Sequence, residues 1–171
     1  MSRTPEPVVV VFDTVVLSNF CASASIDLLV AQYGNSFSTT YEVLDEITRG
    51  IAAGYGFLKP VLNHVDNGDI EVIRLGSRER DLYLRLVLSL GPGEASCVAA
   101  AWKRGAIAAT DDRAARNACT ENAVKVTGTV GILKRLCITG SITEEQADGL
   151  LEHMVKAGFY SPVARIRDIM P

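Results

Sequence analysis

Apolar residues along this chain alternate between two patterns: short β-branched or alanine-rich runs, and longer stretches with apolar positions at helical spacing. "PVVVVFD" (Pro7 to Asp13) and "AIAAT" (Ala106 to Thr110) read as strands buried on both faces, as in a parallel sheet. "SFST", "DIEVIRL" and "VKVTG" read as further extended pieces. "TVVLSNFCASASIDLLVAQYG" predicts helix in two pieces, stopped by Gly34. A second helix starts at Thr39 or Thr40 and a third carries Pro60 in its first turn. "SRERDLYLRLVLSLG" places Leu82, Leu86 and Leu90 on one face with Val87 beside them, an amphipathic helix facing the core or a second copy. "GPGEASCVAAAWKRG", "DRAARNACTEN", "TVGILKRLCITG" and "TEEQADGLLEHMVKAG" complete the helices, the last with Thr143 as N-cap and Gly158 as stop. Trp102, flanked by alanines, is expected in the core.

Strands alternating with helices predict an α/β fold around a mainly parallel sheet. The 171 residues contain no repeat or linker, so a single domain over 1–171 is expected. Hydrophobic residues make up 48% and mean hydropathy is +0.19, which excludes a disordered chain. The formal net charge of −3 argues against a protein held on nucleic acid by bulk positive charge, although a basic rim around an acidic pocket would suffice for a nuclease. No CxxC pair occurs among Cys21, Cys97, Cys119 and Cys137, so free thiols in a reducing cytoplasm are expected. "MSRTPEP" and the short run after it do not make a leader peptide, and no run is long enough to span a membrane.

Candidate chemistry lies in the acids. In an open parallel sheet, ligands bind beyond the carboxyl ends of the strands. Asp13 ends one strand, and the pair Asp111 and Asp112 ends another. Each alone reads as a helix cap, but like charges converging on one sheet edge repel and are poorly explained by capping. Glu94 sits in the first turn of a helix too apolar to be exposed, so it belongs at the edge of the core. Glu46 shares a helix face with Glu42, and ordinary solvated surface is its plainer reading. If these acids converge, they need a counter-charge, and hard oxygen ligands suit Mg²⁺ or Mn²⁺. Such ions activate water and clamp phosphate, two of them lying about 4 Å apart if both bind. Of the adjacent acids, one can face the ion while the other caps the helix or holds metal-bound water.

This pattern resembles the PIN-domain family, in the PIN-like branch related to the VapC toxin ribonucleases. The resemblance is carried by Asp13 after "VVVVF", Glu46 in "VLDEI", Glu94 in "LGPGEAS", "ATDDRAAR" around Asp112, and then "VTGTVGIL". It implies a three-layer α/β/α sandwich and Mg²⁺- or Mn²⁺-dependent hydrolysis of RNA by a metal-activated water. It implies Asp13, Glu46, Glu94 and Asp112 as catalytic, metal-binding acids, with Asp111 a further metal neighbour. Thr14, Ser18 and Thr110 become candidates to hold metal-bound water or a phosphate oxygen. Arg113 and Arg116 become candidates for the RNA backbone, surface ion pairing being their plainer role. A small antitoxin, a toxin–antitoxin pairing and a homodimer are also implied. The chain differs from common toxins in extra helical material around 54–90 and in a Glu where many relatives carry Asp.

Two enzyme readings fail on the residues. A haloacid-dehalogenase-type phosphatase needs an Asp two positions after Asp13, where Val15 stands. "GPGEAS" is half of a dinucleotide-binding turn and follows a helix, not a strand. The serious alternative is a non-catalytic PIN-like module that binds RNA or protein. His64 and His153 stand alone and read as surface or half-buried residues.

Overall fold

In the computed structural model, which describes residues 7–171, short strands and helices alternate from end to end. The polar residues before Pro7, read above as no leader, lie outside the described residues. The order is β1 (Val10–Phe12), α1 (Thr14–Ala22), α2 (Ile26–Tyr33), β2 (Phe37–Thr40), α3 (Tyr41–Ala52), α4 (Lys59–Asp66), β3 (Glu71–Ile73), α5 (Ser77–Leu86), α6 (Pro92–Arg104), β4 (Ile107–Ala109), α7 (Arg113–Glu121), β5 (Lys125–Thr127), α8 (Thr129–Ile138) and α9 (Glu144–Lys156). A 3-10 turn at Ile166–Ile169 follows.

The five strands form one sheet in the order β3-β2-β1-β4-β5, and every pairing is parallel. Chain direction across the sheet reverses at β1: β2 and β3 build outward on one side, β4 and β5 on the other. The switch point of this three-layer α/β/α sandwich therefore lies between β1 and β4, whose registers pair Phe12 with Ala109. Asp13 and the Thr110–Asp112 turn are the next residues on those two strands. The acids that end them meet at that point because of this strand order.

Strand β1 is central because all three of its residues are apolar and buried. The Phe12 ring packs on Phe37 at 4.6 Å and on Tyr33 at 5.3 Å between centroids. A buried Phe of this kind contributes on the order of 3–5 kcal/mol relative to Ala. Helix α6 lies against β1, β2 and β4 and also meets α3, α5 and α7. Its small side chains allow that enclosure: Ala95 to Ala101 are all buried. Its last turn emerges beyond these neighbours, and Trp102 there is 39% exposed beside exposed Lys103 and Arg104. This corrects the core placement expected from its alanine neighbours.

Helix α5 also differs from expectation. It stops at Leu86, and the remainder is a turn in which Leu90 is buried while Leu88 is 86% exposed. The predicted apolar face holds: Leu82 and Leu90 are buried and Leu86 and Val87 pack against the core, while Leu84, off that face, is exposed. Thr40 caps α3 and Thr143 caps α9 by accepting from backbone amides. The cysteines are free, with Cys21, Cys97 and Cys119 buried and Cys137 half-buried. His64 is half-buried between Asp69 and Asp27, each 2.8 Å away, and His153 bonds Gly149 O in its own helix. Among the described residues, no single helix is long and apolar enough to cross a membrane.

Candidate metal centre

Asp13 is the first residue beyond β1 and the N-cap of α1. Its backbone N–H donates to Ala109 O at 3.0 Å, extending the β1–β4 ladder by one step. Its Oδ1 accepts from Val16 N at 2.9 Å, which is the capping bond. The side chain is 0% exposed, and Oδ2 has no hydrogen-bond partner among the described residues. Burial pushes the Asp13 pKa up to about 7; the neighbouring Thr110 hydroxyl and the Val16 amide oppose that rise, and the charges of Asp111 and Glu94 add to it. A buried carboxylate oxygen without a donor is costly, and a cation or a proton relieves it.

The other acids surround this one. Glu46, one turn after the half-buried Glu42, bridges two elements: Oε2 accepts from the Thr14 hydroxyl and Oε1 from Gly93 N at 2.9 Å. That contact requires Gly at position 93, because an added Cβ would stand 2.5 Å from Glu46 Oε2. Glu94 reaches back to Gly91 N at 2.9 Å with Oε2, closing the sharp Gly-Pro-Gly entry to α6. Its pKa is raised by burial and, beyond the lowering by the Gly91 amide, by the charges of Asp112 and Glu46. The electrostatic neighbours of Asp13 and Glu94 therefore include every other acid singled out in the sequence except Glu42.

The adjacent acids Asp111 and Asp112 divide their duties. Asp112 caps α7, its Oδ1 accepting from Ala115 N at 2.8 Å. Asp111 turns to the start of α8, where Oδ1 accepts from Thr129 N at 2.9 Å and Oδ2 from the Thr129 hydroxyl at 2.6 Å. Asn19 Nδ2 adds a longer bond to Asp111 at 3.3 Å. Gly128 makes room for this, since a Cβ there would lie 2.5 Å from Asp111 Oδ1. Thr129, Asn19 and Gly93 were not assigned roles from the sequence. "VTGT" carried a signal for Thr129, but Asn19 and Gly93 depend on contacts between distant segments.

Arg116 does not ion-pair at the surface. It donates to Thr110 O at 2.9 Å and to Thr127 O at 3.2 Å, joining the ends of β4 and β5. Arg113 is exposed at the start of α7 and pairs with no carboxylate among the described residues. Ser18 is half-buried on α1, and Thr110 is buried between Asp13 and Asp112, whose N–H its hydroxyl accepts at 3.3 Å.

Among the described residues, no group of three or more His, Cys, Asp or Glu side chains is placed to hold a metal ion. The donor set nevertheless fits a hard divalent cation. Glu94 and Asp112 each use one oxygen for a backbone cap, and Asp13 Oδ2 has no hydrogen-bond partner among the described residues. Carboxylate oxygens held in place by their partner oxygens, with room for water, are the ligands Mg²⁺ and Mn²⁺ accept. A cleft of about 410 Å³ is lined by Glu94, Asp111 and Asp112 and by Gly158 to Tyr160, while Asp13 and Glu46 do not line it.

Fold and site together define a class: a parallel α/β/α sandwich with a carboxylate cluster beyond its switch point. A family model described as PIN domain matches residues 9–171, so the chain belongs to the PIN-domain family, whose members are in general metal-dependent nucleases. The crystal structure of PAE2754 from Pyrobaculum aerophilum superposes with a TM-score of 0.55 at 17% identity, covering 77% of this chain and 98% of that one. At this identity the likeness concerns the fold. No curated protein matches the chain.

Proposed function

We propose that this protein is a metal-dependent ribonuclease acting through one domain, with Asp13, Glu46, Glu94 and Asp112 as the acids that hold Mg²⁺ or Mn²⁺. The observation that carries this reading is Asp13 Oδ2, buried, without a hydrogen-bond partner among the described residues, in a carboxyl group under the charges of Asp111 and Glu94. Fold stability gains nothing from such an atom, whereas a divalent ion turns it into a ligand. When bound, the ion supplies an activated water and charge neutralisation on the phosphate. The chain's own residues then orient and position. Thr14 and Gly93 fix the Glu46 carboxylate. Asp111, bound on both oxygens by Thr129, acts through the local field and as an anchor of α8. Arg113 and Arg116 are the candidate contacts to an RNA phosphate, Arg116 already donating from Nη1 to the backbone of the strand ends.

Toxin activity neutralised by a small antitoxin, a cytoplasmic setting and a homodimer belong to the same proposal. The exposed Leu84 and Leu88 offer apolar surface to a second copy. The rival, a PIN-like module that binds without cleaving, draws support from the same donors: Glu46, Glu94, Asp111 and Asp112 are each held by protein groups and serve the fold without a metal.

The test is incubation with a panel of single-stranded RNAs in Mn²⁺ or in EDTA. Cleavage in Mn²⁺, absent in EDTA and reduced at least about 100-fold in Asp13→Asn and Asp112→Asn, is the expected result. Cleavage that persists in EDTA and in both variants defeats the mechanism. RNA binding that is equal with and without metal, and no cleavage, selects the binding module.

A further inference from the structure

The cleft lined by Glu94, Asp111 and Asp112 is lined as well by the loop that follows α9. Gly158 stops α9, Phe159 and Val163 pack against the core, and the residues between them have no role identified from the sequence. The loop is held at both ends. At its start Phe159 N bonds Met154 O at 3.0 Å, after Gly158 turns the chain at a φ of 111°. At its end Asp148 accepts from Ile166 N at 2.7 Å and pairs with the Arg167 guanidinium, while Ile166 is buried. Between them the Ser161 hydroxyl bonds Val163 O at 2.7 Å. This clamped loop presents Tyr160 with 92% of its surface in water.

A lone exposed aromatic needs no explanation in most places. Tyr160 differs in position. It lines the cleft of Glu94, Asp111 and Asp112, and also a second cleft of about 660 Å³ that runs past Asp111 to Arg113 and Gly128. With Asp111 and Phe159 it is shared by the two clefts, one of which holds Glu94 and Asp112 and the other Arg113, a cation without a carboxylate partner among the described residues. An aromatic face and a basic side chain flanking a phosphate-cleaving centre are what an unpaired nucleotide requires: a surface for the base and a charge for the phosphate. The second cleft carries apolar Val126, Val130 and Pro162 beside Arg113 and Arg116, and the two cations favour an occupant that offers a phosphate as well as a flat apolar face.

We propose that Tyr160 is a stacking platform for a nucleobase of single-stranded RNA, with Arg113 contacting the adjoining phosphate. The inference rests on the ribonuclease reading and adds to it the substrate class and the binding subsite. Tyr160 is a positioning residue, set apart from the metal-binding acids.

The experiment uses full-length Asp13→Asn protein, so that RNA is not consumed, and a short labelled single-stranded RNA followed by fluorescence anisotropy. Adding Tyr160→Ala is expected to weaken binding about tenfold, while Tyr160→Phe and Tyr160→Trp stay within about twofold. A duplex of the same sequence, whose bases are already stacked, is expected to show no such difference. Equal affinity for Tyr160→Ala overturns the proposal, as does a loss for Tyr160→Phe as large as for Tyr160→Ala. A change in solution mass on Tyr160→Ala with RNA affinity unchanged assigns the residue to a protein contact instead and also overturns it. Failure of the two readings is distinguishable. Metal-dependent cleavage by the unmodified protein, with binding insensitive to Tyr160, removes the stacking platform alone. Absence of both cleavage and RNA binding removes the ribonuclease reading and the platform with it.

Discussion

Asp13 assigns its two oxygens to different tasks. Oδ1 holds the first turn of α1, and Oδ2 is left buried without a donor. The consequence for stability has a definite sign. Burial raises its pKa from 3.8 in the unfolded chain to about 7 in the folded one, so between those values the folded state binds the extra proton and unfolding releases it. Stability is therefore full at the acid end of this window and falls as pH rises through it, with the whole penalty present above about 7. Glu94, raised by burial and by its acidic neighbours, adds to the same trend. Asn keeps the cap and removes the charge. In EDTA at about pH 8, Asp13→Asn is expected to melt at a higher temperature than the unmodified protein, with the gap narrowing towards about pH 4. Circular-dichroism melts across that range check it, and a lower melting temperature for Asp13→Asn at alkaline pH contradicts it. The role of Asp13 was readable from a strand ending in an acid. The roles of Asp111 and Asp112 were not, because neighbouring residues at a helix entry differ only in direction. That direction is set by Thr129, 18 residues away in sequence, and by the backbone amide of Ala115.

Helix α6 joins the sheet to the acids through its first turn. Its apolar small residues place it against β1, β2 and β4, and the Gly-Pro-Gly entry brings the Gly93 amide to Glu46 on α3. Gly93→Ala separates fold from function. Ala is favoured over Gly in a helix interior by about 1 kcal/mol, less in a first turn, so the melting temperature should change little. The new Cβ would sit 2.5 Å from Glu46 Oε2, and this carboxylate is pinned by Thr14 as well as by Gly93, so it must leave its position. Metal-dependent cleavage is expected to fall at least about tenfold with a melting temperature within a few degrees of the unmodified protein. Parallel rate and melting measurements decide it; full activity means that the placement of Glu46 does not matter to the reaction. At this scale the helices and strands were legible because their hydrophobic periods differ. The early stop of α5 and the exposure of Trp102 were not, since burial at a helix end depends on where its neighbours stop.

Across the whole molecule, acids from α3, α6 and the ends of β1 and β4 gather at one edge of the sheet, and their mutual repulsion opposes the fold. A cation that binds only the folded chain offsets this repulsion and stabilises by mass action. Millimolar Mn²⁺ at neutral pH is expected to raise the melting temperature, EDTA to reverse the rise, and Asp13→Asn to abolish most of it. Differential scanning fluorimetry without RNA measures this independently of catalysis. An unchanged melting temperature in Mn²⁺ speaks for acids retained for folding alone.

By itself the sequence determined the alternation of strands and helices, the parallel class of the sheet and the positions of the acids at element ends. These follow from hydrophobic period and turn chemistry, which are local. Only the tertiary structure decided the strand order that sets β1 beside β4, and with it the meeting of Asp13 with Asp111 and Asp112. It alone decided which carboxylate oxygen finds a donor, which arginine donates to backbone carbonyls, and that Tyr160 lines one cleft with Glu94, Asp111 and Asp112. The reason is physical: those outcomes depend on contacts between segments distant in the chain, and no local pattern encodes the distance between them.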